Sequence, residues 1–281
     1  MTSNKTTYVG AGAKAAEVVK GTVSLNYSWK VDTLKLQNAA VLVALAFVLA
    51  GCTGDQWGWY VVSPNTETGR INLSFMISGL KETLVVSLTA IIISMIVGLC
   101  VALPGLSDNK YGRAFNRTYV EVVRSVPSLV LIFWVYYGLP VVANISINVF
   151  WAGVLALALS DSAFQAEIFR AGIQSVDKGQ IEAGRSLGLR YVQRLRFIIL
   201  PLAIRRMLPP LGNQLVYMLK MSSLVSVIGL QDLTRRANEL VVTEYRPLEI
   251  YTVLVLEYLV LILIVSQGVR WLERRFNAEH I

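Results

Sequence analysis

QIEAGRSLGLRYVQRLRFIILP, residues 180–201, is a polar stretch lodged between long apolar runs. Its carboxylate Glu182 and its arginines Arg185, Arg190, Arg194 and Arg196 are costly in hydrocarbon, while the runs on either side have the length that crosses it. The whole chain of 281 residues is 54% apolar and only 16% charged, with a mean hydropathy of +0.55. A soluble domain carries about 25% charged residues. Here the apolar residues gather in runs of about twenty, enough for a core roughly 30 Å thick. The sequence therefore reads as an all-α membrane protein with about six transmembrane helices, near 34–52, 79–104, 120–142, 149–170, 204–230 and 248–269.

The formal net charge of +8 invites a nucleic-acid reading, but the placement of the charges argues for topology instead. With both termini on the inner side, twenty of the 26 Lys and Arg residues fall on inner segments and five on outer ones, Lys220 alone lying inside a span. That asymmetry is the positive-inside rule. There is no focused basic face with stacking aromatics, so no nucleic-acid partner is expected. The one histidine is His280 at the C-terminus, which leaves no His-based triad or metal cluster. Cys52 and Cys100 sit in or beside apolar runs and define neither a disulfide framework nor a metal site. No phosphate-loop pattern occurs, so no ATPase site, catalytic residue or cofactor is expected in this chain. Energy has to come from a partner or an ion gradient.

Residues 1–33 read as a cytoplasmic tail, 34–78 as an extra first transmembrane helix with a periplasmic segment, 79–275 as the transport core and 276–281 as a short cytoplasmic end. Leu49-Ala50-Gly51-Cys52 matches a lipoprotein signal, but the leader before it exceeds the usual signal length, which favours an uncleaved helix. Trp57, Trp59 and Tyr60 suit the headgroup level, so 53–78 reads as a periplasmic hairpin or short surface helix. Pro104-Gly105 marks the end of the second span, and Pro209-Pro210 opens or kinks the fifth. In the central loop, Asp177 and Gln180 have capping-box spacing and Gly188 suits a left-handed stop, which delimits a helix at about 178–187. Glu182 lies early in it, where the helix dipole favours an anion, and Ala183, Gly184 and Ser186 are small enough for close approach. On periodicity alone this is also what an amphipathic helix resting on headgroups would look like.

The spacing Glu182-Ala183-Gly184, three residues, Gly188, nine residues, then Ile198-Ile199-Leu200-Pro201 resembles the EAA signature of permease subunits of ABC importers. The likeness extends to Gly79-Leu80-Lys81-Glu82-Thr83-Leu84, Arg124-Ser125-Val126-Pro127, Ala166-Glu167-Ile168-Phe169-Arg170, Leu208-Pro209-Pro210-Leu211-Gly212-Asn213-Gln214 and Lys220-Met221-Ser222-Ser223-Leu224. These stretches are similar to the polar amino acid permeases for histidine, glutamine, glutamate and arginine, over roughly residues 79–275. Gly184 stands where that family usually has alanine, and Ser125-Val126 where it often has Gly-Thr.

The resemblance implies a five-helix type I importer core in a bacterial inner membrane, preceded here by one extra helix. It implies as partners two ATP-binding cassette ATPase subunits, a second permease copy (identical or a sister), a periplasmic substrate-binding protein, a polar amino acid and membrane lipids. It makes the 178–188 helix the ATPase contact, through Gln180, Glu182, Ala183, Gly184, Arg185, Leu187 and Gly188. The alternative is a secondary amino acid transporter driven by an ion gradient, with intramembrane acids as ion sites. A non-transporting scaffold fits the charge topology less well.

Asp161, Glu167, Lys220 and Glu257 fall in or near apolar spans, where an ionised group normally faces a partner or a wet cavity. Together with Asn213, Ser222 and Ser223, the first three are the candidate substrate-pathway residues. Lys220 with Glu167 or Asp161 reads either as a structural or gate ion pair or as a site for a zwitterion. Asp161 is the candidate reader of a substrate amino or guanidinium group. Glu257 reads as an inter-subunit or near-surface group.

Overall fold

The computed structural model describes residues 58–107 and 109–277, and every regular element among them is helical. The tail and the first predicted span lie outside the described residues. The elements are α1 (Glu67–Ser78), α2 (Leu80–Gly105), α3 (Lys110–Ser125), α4 (Ser128–Phe133), α5 (Leu139–Ala143) and α6 (Val149–Gln174). They continue with α7 (Lys178–Ser186), α8 (Tyr191–Arg194), α9 (Leu200–Met221), α10 (Leu233–Glu244) and α11 (Pro247–Asn277).

Thr66 caps α1 by accepting from the Gly69 N–H at 3.1 Å, and α1 runs on into α2 because Gly79 keeps right-handed helical angles. The predicted surface element before the second span is therefore continuous with that span, an apolar helical stretch from Glu67 to Gly105. The third span is not straight. Pro127 biases Val126 to extended angles (φ −93°, ψ 123°), and the chain turns by 92° between α3 and the Ser128–Ala143 segment. A wide π turn at Trp134–Gly138 lies inside that second segment.

Among the described residues three helical stretches are long and apolar enough to cross a membrane, Glu67–Gly105, Val149–Gln174 and Pro247–Arg275, and the bent pair is a fourth if its two halves count as one broken span. The predicted fifth span is α9, which carries Arg205, Arg206, Asn213, Gln214 and Lys220 and so falls short on apolarity. Pro201 occupies its first turn, and Pro209 and Pro210 lie inside the helix instead of opening it.

α2 and α6 form the most extensive helix pair. Ser87, Ile91, Ser94, Gly98, Val101 and Gly105 recur at alternating spacings of four and three along the buried face of α2. Opposite them lie small residues of α6, including Ala158, Ser162 and Ala166. Small residues let backbones approach where lipid supplies no hydrophobic drive for association. At Gly98 the approach leaves no room for a side chain: a Cβ there would stand 2.5 Å from the Gln165 Cβ and 2.9 Å from the Ser162 carbonyl.

At the other end of the bundle, Asp232 caps α10 by accepting from the Arg235 N–H at 2.8 Å, and the Thr83 hydroxyl of α2 accepts from the Leu233 N–H at 3.2 Å. Asp232 is fully buried, and burial pushes its carboxyl from 3.8 up to about 6, against the lowering pull of its backbone hydrogen bonds. α10 is tied to α1 by Asn72 Nδ2 donating to Glu244 (3.1 Å) and to α11 by Tyr251 donating to Asn238 (3.0 Å).

Two outcomes follow for purified protein in detergent. Gly98→Ala is expected to lower the unfolding midpoint by an overpacking cost of about 1–3 kcal/mol, whereas Gly268→Ala, with nothing within 4 Å of the added carbon, leaves it unchanged or higher. Because the folded carboxyl of Asp232 binds its proton more tightly than the unfolded one, stability rises as pH falls from 7 through about 6. Asp232→Asn, which keeps a capping oxygen, is expected to melt higher than the parent at pH 7.5 and to flatten that pH slope.

Candidate functional site

The polar 175–201 segment folds as a short helix braced on both sides. Asp177 starts α7 by accepting from the Gly179 N–H at 2.6 Å. Gln180 does not complete the predicted capping box; the reciprocal contact is made one helix later, where Gln193 accepts from the Arg190 N–H at 2.8 Å. Gly188 takes the left-handed angle (φ +75°) that an L side chain resists, and the Leu189 and Gly188 N–H groups return to the Gly184 and Arg185 carbonyls at 3.1 and 3.0 Å. This pair of bonds is a Schellman stop.

The faces of α7 differ sharply. Gly184 is buried, and a Cβ there would meet the Ile198 Cδ1 at 2.5 Å, with the Arg194 stem beyond it. The Arg194 guanidinium in turn donates to the Leu189 carbonyl at 3.2 Å. Gln180, Glu182, Ala183, Arg185, Leu187 and Gly188 are exposed, Leu187 at 80%. Thus the glycine that departs from the signature faces this subunit's own chain, and the other six predicted contact residues face outward. The close seat on Ile198 fixes α7 to the π turn Leu195–Ile199 that leads into α9. Arg206 of α9 also donates to the Ser175 carbonyl beside the start of α7.

A second constellation lies inside the bundle. Asp161 on α6 is 4% exposed and accepts from Ser94 of α2, from Gln214 of α9 and from Gln165 of its own helix at 2.9 Å. All three donors are neutral. Ser162 of α6 is within 2.8 Å of the Tyr119 hydroxyl of α3, and Ser160 within 2.7 Å of the Ser128 hydroxyl of α4. Polar side chains thus stitch α2, α3, α4 and α9 to α6.

Beside this network a cleft of about 600 Å³ opens between α6 and α9, lined by Phe164, Glu167, Gly172, Arg206, Asn213 and Gln214 among others. Gln214 belongs to both: its amide donates to Asp161 and it lines the cleft. Glu167 is held by Arg124 of α3 at 2.5 Å, and the Arg124 guanidinium also lies 4.7 Å from the centroid of the Phe164 ring. Both partners of this ion pair remain about 40% exposed, so its charges are accessible.

Of the predicted pathway residues, Glu167 and Asn213 share the cleft and Asp161 stands directly behind it. Lys220 pairs with neither acid: it is exposed one residue before the end of α9, while Asp161 is met by neutral groups and Glu167 by Arg124. Ser222 and Ser223 turn their hydroxyls onto the Leu219 and Lys220 carbonyls, at 2.8 and 2.7 Å. Glu257 on α11 has both carboxylate oxygens buried without a hydrogen-bond partner among the described residues. Sequence reasoning did not single out Ser94, Gln165, Gln214 and Arg124 as site residues. Gln165 was findable, being one turn from Asp161 on the same face, and Gln214 adjoins Asn213. The parts played by Ser94 and Arg124 depend on which helices meet.

The family described as the inner membrane component of binding-protein-dependent transport systems matches residues 90–278. A probable glutamine ABC transporter permease of Bacillus subtilis is 39% identical over 209 residues, 74% of this chain and 96% of that protein. The glutamine transport system permease of Escherichia coli K12 is 36% identical over 226 residues, 79% of this chain and 99% of its own. Among solved structures, an amino acid ABC transporter crystallised with histidines matches at 43% identity and TM-score 0.68, covering 72% of this chain and 94% of that one. An inward-facing methionine ABC transporter, at 21% identity and TM-score 0.62, shares the fold. A multi-pass inner membrane protein without an ATPase site of its own, the chain belongs to the permease family of binding-protein-dependent ABC importers.

Proposed function

We propose that this chain is one permease subunit of an importer for polar amino acids, working with a second permease copy, two ATPase subunits and a periplasmic binding protein. The observation that carries this reading is α7: an exposed outer face on a helix whose inner face is locked to the root of α9. A partner that pushes on α7 moves α9, and α9 forms one wall of the polar cleft. ATP-driven motion of the ATPase subunits would then shift the populations of inward- and outward-open states. The charge asymmetry along the sequence supports both termini on the cytoplasmic side, the same side as α7.

The relatives named for glutamine support a polar amino acid as cargo. The cleft supplies a matching chemistry. An amino acid carries one ammonium and one carboxylate, and the Arg124–Glu167 pair offers one partner for each in an accessible position. Asn213 and Gln214 add amide donors and acceptors on the facing wall. Asp161, met only by neutral donors, adds a further anion reachable when the Gln214 amide turns aside. A second charge of that sign would favour substrates bearing an additional amino or guanidinium group.

Two experiments test this. Leu187→Glu is expected to abolish co-purification of the ATPase subunits and uptake while leaving the unfolding midpoint of the permease in place; retained co-purification would refute α7 as the coupling element. In proteoliposomes with the binding protein, Glu167→Gln is expected to weaken uptake of any amino acid about tenfold, the loss of one charge-assisted contact. Asp161→Asn is expected to weaken uptake of arginine more than of glutamine. Equal affinity for both substrates in Asp161→Asn would remove Asp161 from the substrate path.

A further inference from the structure

A second cleft, of about 760 Å³, lies on the other side of Glu167, between α3 and α6. Its lining includes Lys110, Arg113 and Arg117 from α3, Arg170 from α6, and the acids Glu121 and Glu167. Both acids are already answered. Glu121 pairs with Arg117 at 3.4 Å, and Glu167 with Arg124 at 2.5 Å. Lys110, Arg113 and Arg170 have no carboxylate partner among the described residues; Arg170 donates to the Gln174 amide oxygen at 3.0 Å. Two helices therefore bring three cations without a carboxylate partner to one cavity, Lys110 lying 5.4 Å from the centroid of the Tyr111 ring, and neither α7 nor the α6–α9 cleft makes use of them.

The setting of these cations narrows the ligand. Arg170 occupies the last turns of α6, which leads straight into α7, so the cleft lies at the α7 end of the bundle. Arg113 and Arg117 fall on one face of α3, with Lys110 close by. Another face shows Tyr111, Phe115 and Val122, exposed at 73%, 55% and 58% and spaced by four and seven residues. A helix with cations on one side and an exposed aromatic and aliphatic stripe on another matches a segment lying in the membrane interface. Guanidinium forks match the paired oxygens of a phosphate as they do those of a carboxylate, and basic pockets between transmembrane helices on the cytoplasmic side suit lipid headgroups.

We propose that the α3–α6 cleft is a binding site for the phosphodiester headgroup of an anionic phospholipid, with Arg113 and Arg170 as the two forks, Lys110 as a further charge, and the Tyr111–Phe115–Val122 stripe against the acyl chains. A free phosphate ion would use the same cations but gain nothing from the stripe. This assignment is independent of which amino acid is carried.

Native mass spectrometry of the full chain, released from nanodiscs of phosphatidylglycerol mixed with phosphatidylcholine, tests it. The expected result is a retained one-to-one phosphatidylglycerol adduct that falls about tenfold in Arg113→Gln/Arg170→Gln, one lost charge-assisted contact at least. Arg274→Gln/Arg275→Gln, basic residues at the end of α11 and outside the cleft, is expected to keep the adduct. If the double glutamine variant does not fold, Arg113→Lys/Arg170→Lys keeps the charge without the forks and should show a partial loss. Equal retention of the two lipids, or an undiminished adduct in either cleft variant, overturns the proposal. So does millimolar inorganic phosphate displacing phosphatidylglycerol from the parent, since the acyl stripe would then contribute nothing.

Discussion

A carboxylate buried among transmembrane helices is costly unless the protein supplies its hydrogen bonds, and Asp161 finds them on α2, on α9 and on its own helix. That constraint organises the bundle. It requires α2 and α6 to approach closely enough for Ser94 to reach across, which is the spacing that Gly98 and the small residues of α6 permit. It also requires α9 to present Gln214 to the core, although the same helix carries its own arginines and a lysine and cannot be lipid-facing all round. Removing an acceptor from such a network strands its donors, which costs more than the net worth of each bond. The polar links are therefore coupled: α2, α6 and α9 hold their relative positions through one buried group, and the cleft wall formed by α9 inherits that position.

Much of this was legible in the sequence, and the reason is membrane physics. Apolar run length and the lysine and arginine placement define segments without any knowledge of tertiary contacts, and α2, α6 and α11 fall where those signals put them. The short helix α7 was legible because its ends are written locally, by Asp177 at the start and Gly188 at the stop. The break at Pro127 was written there too. Reading 120–142 as one span passes over it, because run length does not register a change in direction. The continuation of α1 into α2 was hidden for the opposite reason: Gly79, which looks like a breaker, holds helical angles beside the Asp232 backbone, where no Cβ fits.

The candidate site residues divided along the same line. Asp161 and Glu167 stand out in any apolar helix, and so does Lys220, but which cation answers which acid is a tertiary fact. Lys220 sits near the far end of α9, while Arg124 reaches Glu167 only because the chain bends after α3 and lays that helix along α6. Gly184 is a similar case. In the sequence it is a small residue that departs from the signature; in the fold it is the tight seat of α7 on Ile198.

That seat decides how a push on α7 is transmitted. A short helix joined to the membrane domain only by its two chain ends would pivot when pressed, and little of the displacement would reach the cleft. Here the inner face is pinned at Gly184, the stop is closed by two backbone bonds and the Arg194 guanidinium, and the start adjoins the Ser175 carbonyl that Arg206 grips. Arg206 also lines the α6–α9 cleft. A force on Leu187 therefore has three routes into α9, through Ile198, through the stop and through Arg206, and all three end on the wall that carries Asn213 and Gln214. The same wall is tethered to Asp161, so α9 can move as a body only if the Gln214 contact yields or α6 follows. Either response changes the surroundings of Glu167, the residue that separates the two clefts.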